Sequence, residues 1–232
     1  MNLRTEIHPP FFEIGPKSYL YGDEVLDLAL IADAAAEKYD IDIIFTCPIV
    51  DLRRVVEATE RIFVFAPHMD PIVPGRGLAD VLPESLVAAG AKGVMLNHCE
   101  KPISLSILNR TIQRAKTVGL MTIVCTDTIE EAKAVAYLSP TIIVAEPTDL
   151  IGTGKTSDMM YVQASIDAVK SVNPKILVLQ GAGISNGKNV FDVIFAGAEA
   201  TGSSSGIVKA TDRMAMVDEM IGSARRAWDA KK

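Results

Sequence analysis

Cysteine is scarce in this chain: Cys47, Cys99 and Cys125 are the three among 232 residues. An odd, widely spaced set gives no disulfide framework and no CxxC zinc pattern, and it points to a reducing compartment. Histidine is as rare, with His8, His68 and His98. There is no HExxH and no acidic cluster suited to a metal, so no metal site is expected. Basic residues are the minority, 23 Lys plus Arg against 29 Asp plus Glu, for a net charge of −6. That balance argues against a nucleic-acid partner but leaves room for a local anion site. No apolar run approaches the roughly 18 residues of a membrane span. The opening MNLRTEIHPP lacks the apolar core of a signal peptide. The polar composition of disorder is missing too. What remains is 49% hydrophobic and 22% charged, enough for one large core. The expectation is one cytoplasmic domain over residues 1–232, with neither a membrane nor a nucleic acid as partner.

Short apolar runs alternate with longer amphipathic ones. The strand candidates are Phe12–Gly15, Asp42–Cys47, Phe63–Ala66, Gly93–Asn97, Thr122–Cys125, Thr141–Ala145, Ile176–Gln180 and Glu199–Gly202. The central ones are β-branched or aromatic and almost wholly apolar, as in a parallel sheet covered on both faces. Helical spacing links Val25, Leu28, Ala29, Ala32 and Ala36, and again Ile103, Ile107, Leu108, Ile112, Ala115 and Val118. Ser165–Val172 and Met214–Trp228 read as helices, and shorter ones follow Asp51, Pro83, Thr128 and Asn186. Asp51, Thr128 and Asn186 suit N-caps, and Pro83 suits a first helical turn. Eight strand–helix units of about 29 residues each fit a closed (β/α)8 barrel, an α/β fold whose range begins at roughly 200 residues.

In such a barrel the chemistry gathers where strands end. Lys17 follows the first strand, as a cation at the mouth or a solvated loop residue. His98 follows the fourth. A helix beginning near Lys101-Pro102 would hold its ring neutral through the dipole; the alternative is a structural histidine. Cys99 reads as a small packed residue rather than a nucleophile. Glu146 follows the sixth strand and either projects into the mouth or forms a buried salt bridge. The loop after it, framed by Pro147, Gly152 and Gly154, has the hinges of a lid. Gly181-Ala182-Gly183-Ile184-Ser185 and Gly202-Ser203-Ser204-Ser205-Gly206 end the last two strands. Together these small-residue turns make a phosphate cradle. A carboxylate base, an imidazole, a lysine and a phosphate site suit proton transfer beside a carbonyl of a small phosphorylated substrate.

The chain resembles the triosephosphate isomerases in their compact archaeal-type form. Ala145-Glu146-Pro147 with Leu150-Ile151-Gly152-Thr153-Gly154, Leu96-Asn97-His98 and Gly181-Ala182-Gly183-Ile184-Ser185 carry the likeness. The resemblance implies interconversion of dihydroxyacetone phosphate and glyceraldehyde 3-phosphate through an enediolate, with no cofactor. Glu146 would be the base, His98 the electrophile and Lys17 the cation, oriented by Glu100. Gly15, Ile151, Gly152, Gly183, Ser185, Ser204 and Ser205 would bind substrate and phosphate. A homodimer or homotetramer would form through the loop Pro71–Leu78.

Several positions depart from that family. Its first-strand Asn-x-Lys reads Gly15-Pro16-Lys17, its Gln after strand three is Pro67, and its Thr-Gly in the next loop is Leu78-Ala79. The serine after the histidine is Cys99, and the stretch from Gly154 to Gly181 is a few residues short. The changes cluster at the carbonyl end of the substrate. An isomerase of another small sugar phosphate, such as a tetrulose phosphate, and a non-catalytic phosphometabolite-binding protein therefore stay open as alternatives.

Overall fold

A computed structural model describes residues 5–151, 153 and 157–231. Eight parallel strands close into a barrel in sequence order. They are β1 (Phe11–Ile14), β2 (Asp42–Thr46), β3 (Phe63–Ala66), β4 (Gly93–Leu96), β5 (Met121–Thr126), β6 (Ile142–Ala145), β7 (Leu177–Gln180) and β8 (Ala200–Ser203). The barrel is the architecture expected from the alternating pattern. Strand ends move by at most one residue, because apolar pattern alone cannot say where the ladder stops. Strand β1 is fixed from both sides, with Phe11 opposite Asp42 and Ala200 and Ile14 opposite Phe45 and Ser203.

Alternation along the strands divides the core into two layers. Phe11, Ile44, Phe63, Phe65, Ile123, Ile142, Val144 and Leu179 fill the barrel interior. Phe12, Ile43, Phe45, Val64, Val124, Ile143 and Val178 point outward into a larger cluster shared with the helices. The interior is tight at Gly93, where a Cβ would stand 2.4 Å from the Phe65 ring and 2.7 Å from the Met121 carbonyl oxygen. Gly93→Ala should therefore cost about 1–3 kcal/mol through overpacking. The check is a lower urea midpoint at an unchanged slope.

Nine helices surround the barrel among the described residues: α1 (Asp23–Tyr39), α2 (Leu52–Ala58), α3 (Pro83–Ala88), α4 (Leu105–Thr117), α5 (Ile129–Ala136), α6 (Met159–Val172), α7 (Gly187–Phe195), α8 (Ser205–Val208) and α9 (Arg213–Asp229). Pro83 opens α3. Thr128 and Asn186 cap α5 and α7 by accepting from the N–H groups of Glu131 and Asn189. Asp51 precedes α2 without a side-chain capping bond. The helix expected near Lys101-Pro102 starts later, at Leu105 behind the cap Ser104. A tight turn occupies the earlier residues: Lys101 N–H donates to the His98 carbonyl, and Ile103 N–H donates to Asn97 Oδ1. Helix α6 begins six residues before the expected Ser165, where Asp158 caps it. The short α8 is an addition that the sequence pattern does not announce. Helix α9 packs on α1 and α7. No helix among the described residues is long and apolar enough to cross a membrane.

Candidate active site

The strand ends bring Lys17, His98 and Glu146 to one cavity of about 530 Å³. Lys17 stands just past β1 with φ 49°. Its Nζ donates to Glu100 Oε1 at 2.9 Å. Burial opposes the lysine's charge, but the bond to Glu100 and the charges of Glu100 and Glu146 outweigh it and hold the pKa above its ordinary value. The same bond from Lys17 holds Glu100 below the usual carboxylate range. Lys17 is thus a fixed cation rather than a solvated loop residue.

Asn97 positions His98. Its backbone is left-handed at φ 58°, and its Nδ2 donates to the Cys125 carbonyl at 3.1 Å and to Glu131 Oε1 at 3.2 Å. The His98 ring accepts the Glu100 backbone N–H at Nδ1, 3.1 Å away. A donor at Nδ1 puts the proton of the neutral ring on Nε2. Burial, and then the charge of Lys17, lower the pKa of His98 and favour that neutral form. The helix dipole expected to do this has no part, because α4 begins seven residues beyond the histidine. Cys99 has an exposed position and a thiol pushed up by burial and by Glu146, so it is neither the packed residue expected nor an activated nucleophile.

Glu146 leaves the end of β6 with its N–H bonded to the Thr126 carbonyl. Its Oε1 accepts from Ala182 N–H at 3.2 Å, and its Oε2 lies 3.9 Å from His98 Nε2. Gly181 makes the space, since a Cβ there would touch the Glu146 side chain at 3.0–3.1 Å. Burial raises the carboxyl pKa and Lys17 partly offsets it. No lysine or arginine pairs with Glu146 among the described residues, so it stands as a half-buried carboxylate lining the cavity rather than half of a salt bridge.

A further wall of the cavity is built by the last two strands. Gly183 and Ser185 follow β7, and Ser204 and Ser205 follow β8; all four line the cavity, as do Gly15 and Ile151. Ser185 Oγ donates to Asn189 Oδ1 at 3.0 Å, and Ser204 Oγ donates to the Gly15 carbonyl at 2.5 Å. The turn into α8 starts a helix whose first N–H groups have no acceptor within it. The lid segment is a 3-10 turn at Thr148–Leu150, tied down where Thr148 N–H donates to Asp127 Oδ1 at 2.6 Å. Gly152 and Gly154, expected as phosphate ligand and hinge, lie outside the described residues.

A family model described as triosephosphate isomerase matches residues 17–219. The triosephosphate isomerase of Methanocaldococcus jannaschii is 40% identical over 203 residues, 86% of this chain and 92% of that protein. That of Methanothermus fervidus is 36% identical over 203 residues, 86% and 91% of the two chains. That of Sulfolobus acidocaldarius is 31% identical over 227 residues, 96% and 98%. The chain belongs to the triosephosphate isomerase family.

Within the triosephosphate isomerase family the match begins at Lys17, so the altered stretch just before it lies ahead of the matched region. Gly15 and Pro67 both line the cavity, and Leu78 stands 95% exposed outside it. One cavity residue escapes a reading confined to strand ends. Glu13 lies inside β1, turned inward, and Thr46 Oγ1 donates to its Oε1 at 2.6 Å. Burial pushes its pKa from 4.5 up to about 7, with Thr46 opposing and Glu146 adding to the rise. The available signal was a lone charge in the run Phe11-Phe12-Glu13-Ile14.

Proposed function

We infer that this chain interconverts dihydroxyacetone phosphate and glyceraldehyde 3-phosphate. Glu146 takes the proton from the carbon beside the carbonyl and returns it to the neighbouring carbon. Neutral His98 donates from Nε2 to the carbonyl oxygen and passes a proton between the two enediolate oxygens. Lys17, oriented by Glu100, stabilises the charge that develops on them. Gly183, Ser185, Ser204 and Ser205 surround the phosphate, with Ile151 closing from the lid. Excluding water there protects the enediolate from losing phosphate. Acid–base transfer of this kind needs no cofactor. The observation carrying the reading is Glu146 facing Nε2 of the neutral His98 ring at 3.9 Å, inside the cavity that Lys17 and both small-residue turns share. A non-catalytic binder has no use for that pairing.

The reaction belongs to glycolysis and gluconeogenesis in the cytoplasm. A second copy of the chain covers the loop Pro71–Leu78, whose Val73 is 64% and Leu78 95% exposed; a solution mass of one 24.9 kDa chain would refute that contact. The activity is tested by isomerisation of glyceraldehyde 3-phosphate coupled to a dehydrogenase. A kcat/KM within about 10⁴–10⁸ M⁻¹s⁻¹ is expected. Turnover no faster than that of Glu146→Ala protein sinks the reading.

A further inference from the structure

Glu13 lines the active-site cavity with Lys17, Glu146, Ser203 and Ser204, and the proton transfer above does not use it. Its carboxyl lies beside the turn after β8. A Cβ at Gly202 would stand 3.1 Å from Glu13 Oε2, and one at Gly15 would stand 2.9 Å from Oε1. Any side chain at position 15, the family's asparagine included, would meet this carboxyl as it lies. The Thr46 hydroxyl donates to Oε1 at 2.6 Å. Among the described residues Oε2 has no hydrogen-bond partner. Lys17, the cation that acts on Glu13, is ion-paired with Glu100 at 2.9 Å.

The surroundings favour the uncharged acid. Burial is the largest influence and pushes the pKa of Glu13 from 4.5 up to about 7. Thr46 opposes the rise, Glu146 from the end of β6 adds to it, and Lys17 opposes it. Cys125 of β5 feels Glu13 in turn; burial first, then Glu146 and Glu13, hold its thiol well up. A phosphate ester brings negative charge into this same cavity, and its enediolate brings more. An ionised Glu13 repels both, because like charges in a poorly solvated site disfavour each other. A protonated Glu13 offers them a hydrogen bond.

We propose that Glu13 meets the substrate as the neutral acid and donates its carboxyl proton from Oε2 to a substrate oxygen, so that a phosphate ester bound above neutrality carries a proton into the site. This deepens the isomerase reading and rests on it. Thr46 decides which oxygen donates: its own proton is spent on Oε1, which leaves Oε2 as the donor. The proton comes from solvent on binding and returns there when product leaves, so none is consumed over a cycle. Glu13 is a binding residue that ties affinity to pH, whereas Glu146 exchanges its proton with carbon.

The sign of the effect follows from linkage. As pH rises through 7 the free protein loses the Glu13 proton, and the ligand must then restore it. Affinity should fall by up to about tenfold for each pH unit beyond that point. The test measures the inhibition constant of glycerol 3-phosphate from pH 6 to pH 9 in wild type and in Glu13→Gln. The ligand's phosphate, Glu146, His98 and Lys17 are common to both proteins, so the ratio of the two constants isolates Glu13. An amide donates at every pH. The variant should therefore bind about tenfold more tightly than wild type at pH 8.5, with the advantage shrinking toward pH 6. Calorimetry at pH 8 in buffers of different ionisation enthalpy should show wild type taking up about one proton more than the variant. A third readout needs no variant. In wild type labelled with ¹³C-glutamate, the Glu13 carboxyl should titrate near pH 7 alone and about one unit or more higher with glycerol 3-phosphate bound. Parallel pH profiles in the two proteins, or a Glu13 titration unmoved by the ligand, overturn the role of Glu13 and leave the isomerase standing. Failure of both proteins to bind glycerol 3-phosphate at pH 6 overturns the phosphate site on which the isomerase reading rests.

Discussion

Glu146→Gln is expected to lower kcat for triose isomerisation by about 10²- to 10⁴-fold, the usual worth of a positioned general base. The amide keeps the volume of the carboxyl and an oxygen to accept the Ala182 N–H at 3.2 Å. The fold and the phosphate turns should therefore be undisturbed, and the competitive inhibition constant of glycerol 3-phosphate should stay within a few-fold. The loss should fall on kcat and kcat/KM alike, because proton removal matters in the transition state and not in the bound ground state. Steady-state kinetics with dihydroxyacetone phosphate makes the check. A kcat within tenfold of wild type would mean that the proton leaves to another group.

Glu13→Gln should stabilise the protein, and only toward alkaline pH. The folded-state pKa of Glu13 is about 7 against an ordinary 4.5, so the folded chain holds this proton more tightly than the unfolded chain does. Below about pH 4.5 the group is protonated in both states and costs nothing. Between about pH 4.5 and 7 the unfolded state ionises first, and stability falls as pH rises. Above pH 7 the whole cost is present, about 3 kcal/mol. An amide cannot ionise, so the variant lacks that slope while still accepting from Thr46. Urea unfolding at pH 5 and pH 8 should give a small difference at the lower pH and a clear gain for the variant at the higher. A gap that is the same at both would show that Glu13 does not titrate in this range.

Much of the barrel is legible in the chain because buried parallel strands are short apolar runs. Ile142-Ile143-Val144-Ala145 and Phe63-Val64-Phe65-Ala66 announce themselves. Strand-end residues are legible for the same reason: once the strands are placed, topology delivers Lys17, His98 and Glu146 to one rim. Thr128 and Asn186 work as caps because a short side chain reaches the third N–H from an extended residue. Local pattern fails where a competing bond wins. Around Lys101-Pro102, Asn97 and the His98 carbonyl claim the N–H groups, and the helix waits for Ser104. The neutrality of His98 was foreseeable but its cause was not, since burial and Lys17 act through distances that spacing does not contain. Glu13 was hidden differently. Inward positions of a strand are assigned to packing by default, and only the closed sheet reveals that this one opens into the cavity.

The hydrogen bond from Ser204 to the carbonyl of Gly15 spans 189 positions of sequence. It lies on the seam where β8 meets β1, beside which α9 lies against α1. During synthesis, Lys17, His98 and Glu146 all leave the ribosome before β8 exists. A nascent chain that stops short of β8 therefore carries the entire acid–base apparatus with half of its anion cradle and an open sheet edge. Sealing the seam joins segments 189 positions apart, which places it among the slow events of folding. Until then β1 and β7 are unpaired edges exposed to association with other chains. Premature termination ahead of Ala200 would thus release aggregation-prone, inactive open sheets rather than weakened enzymes.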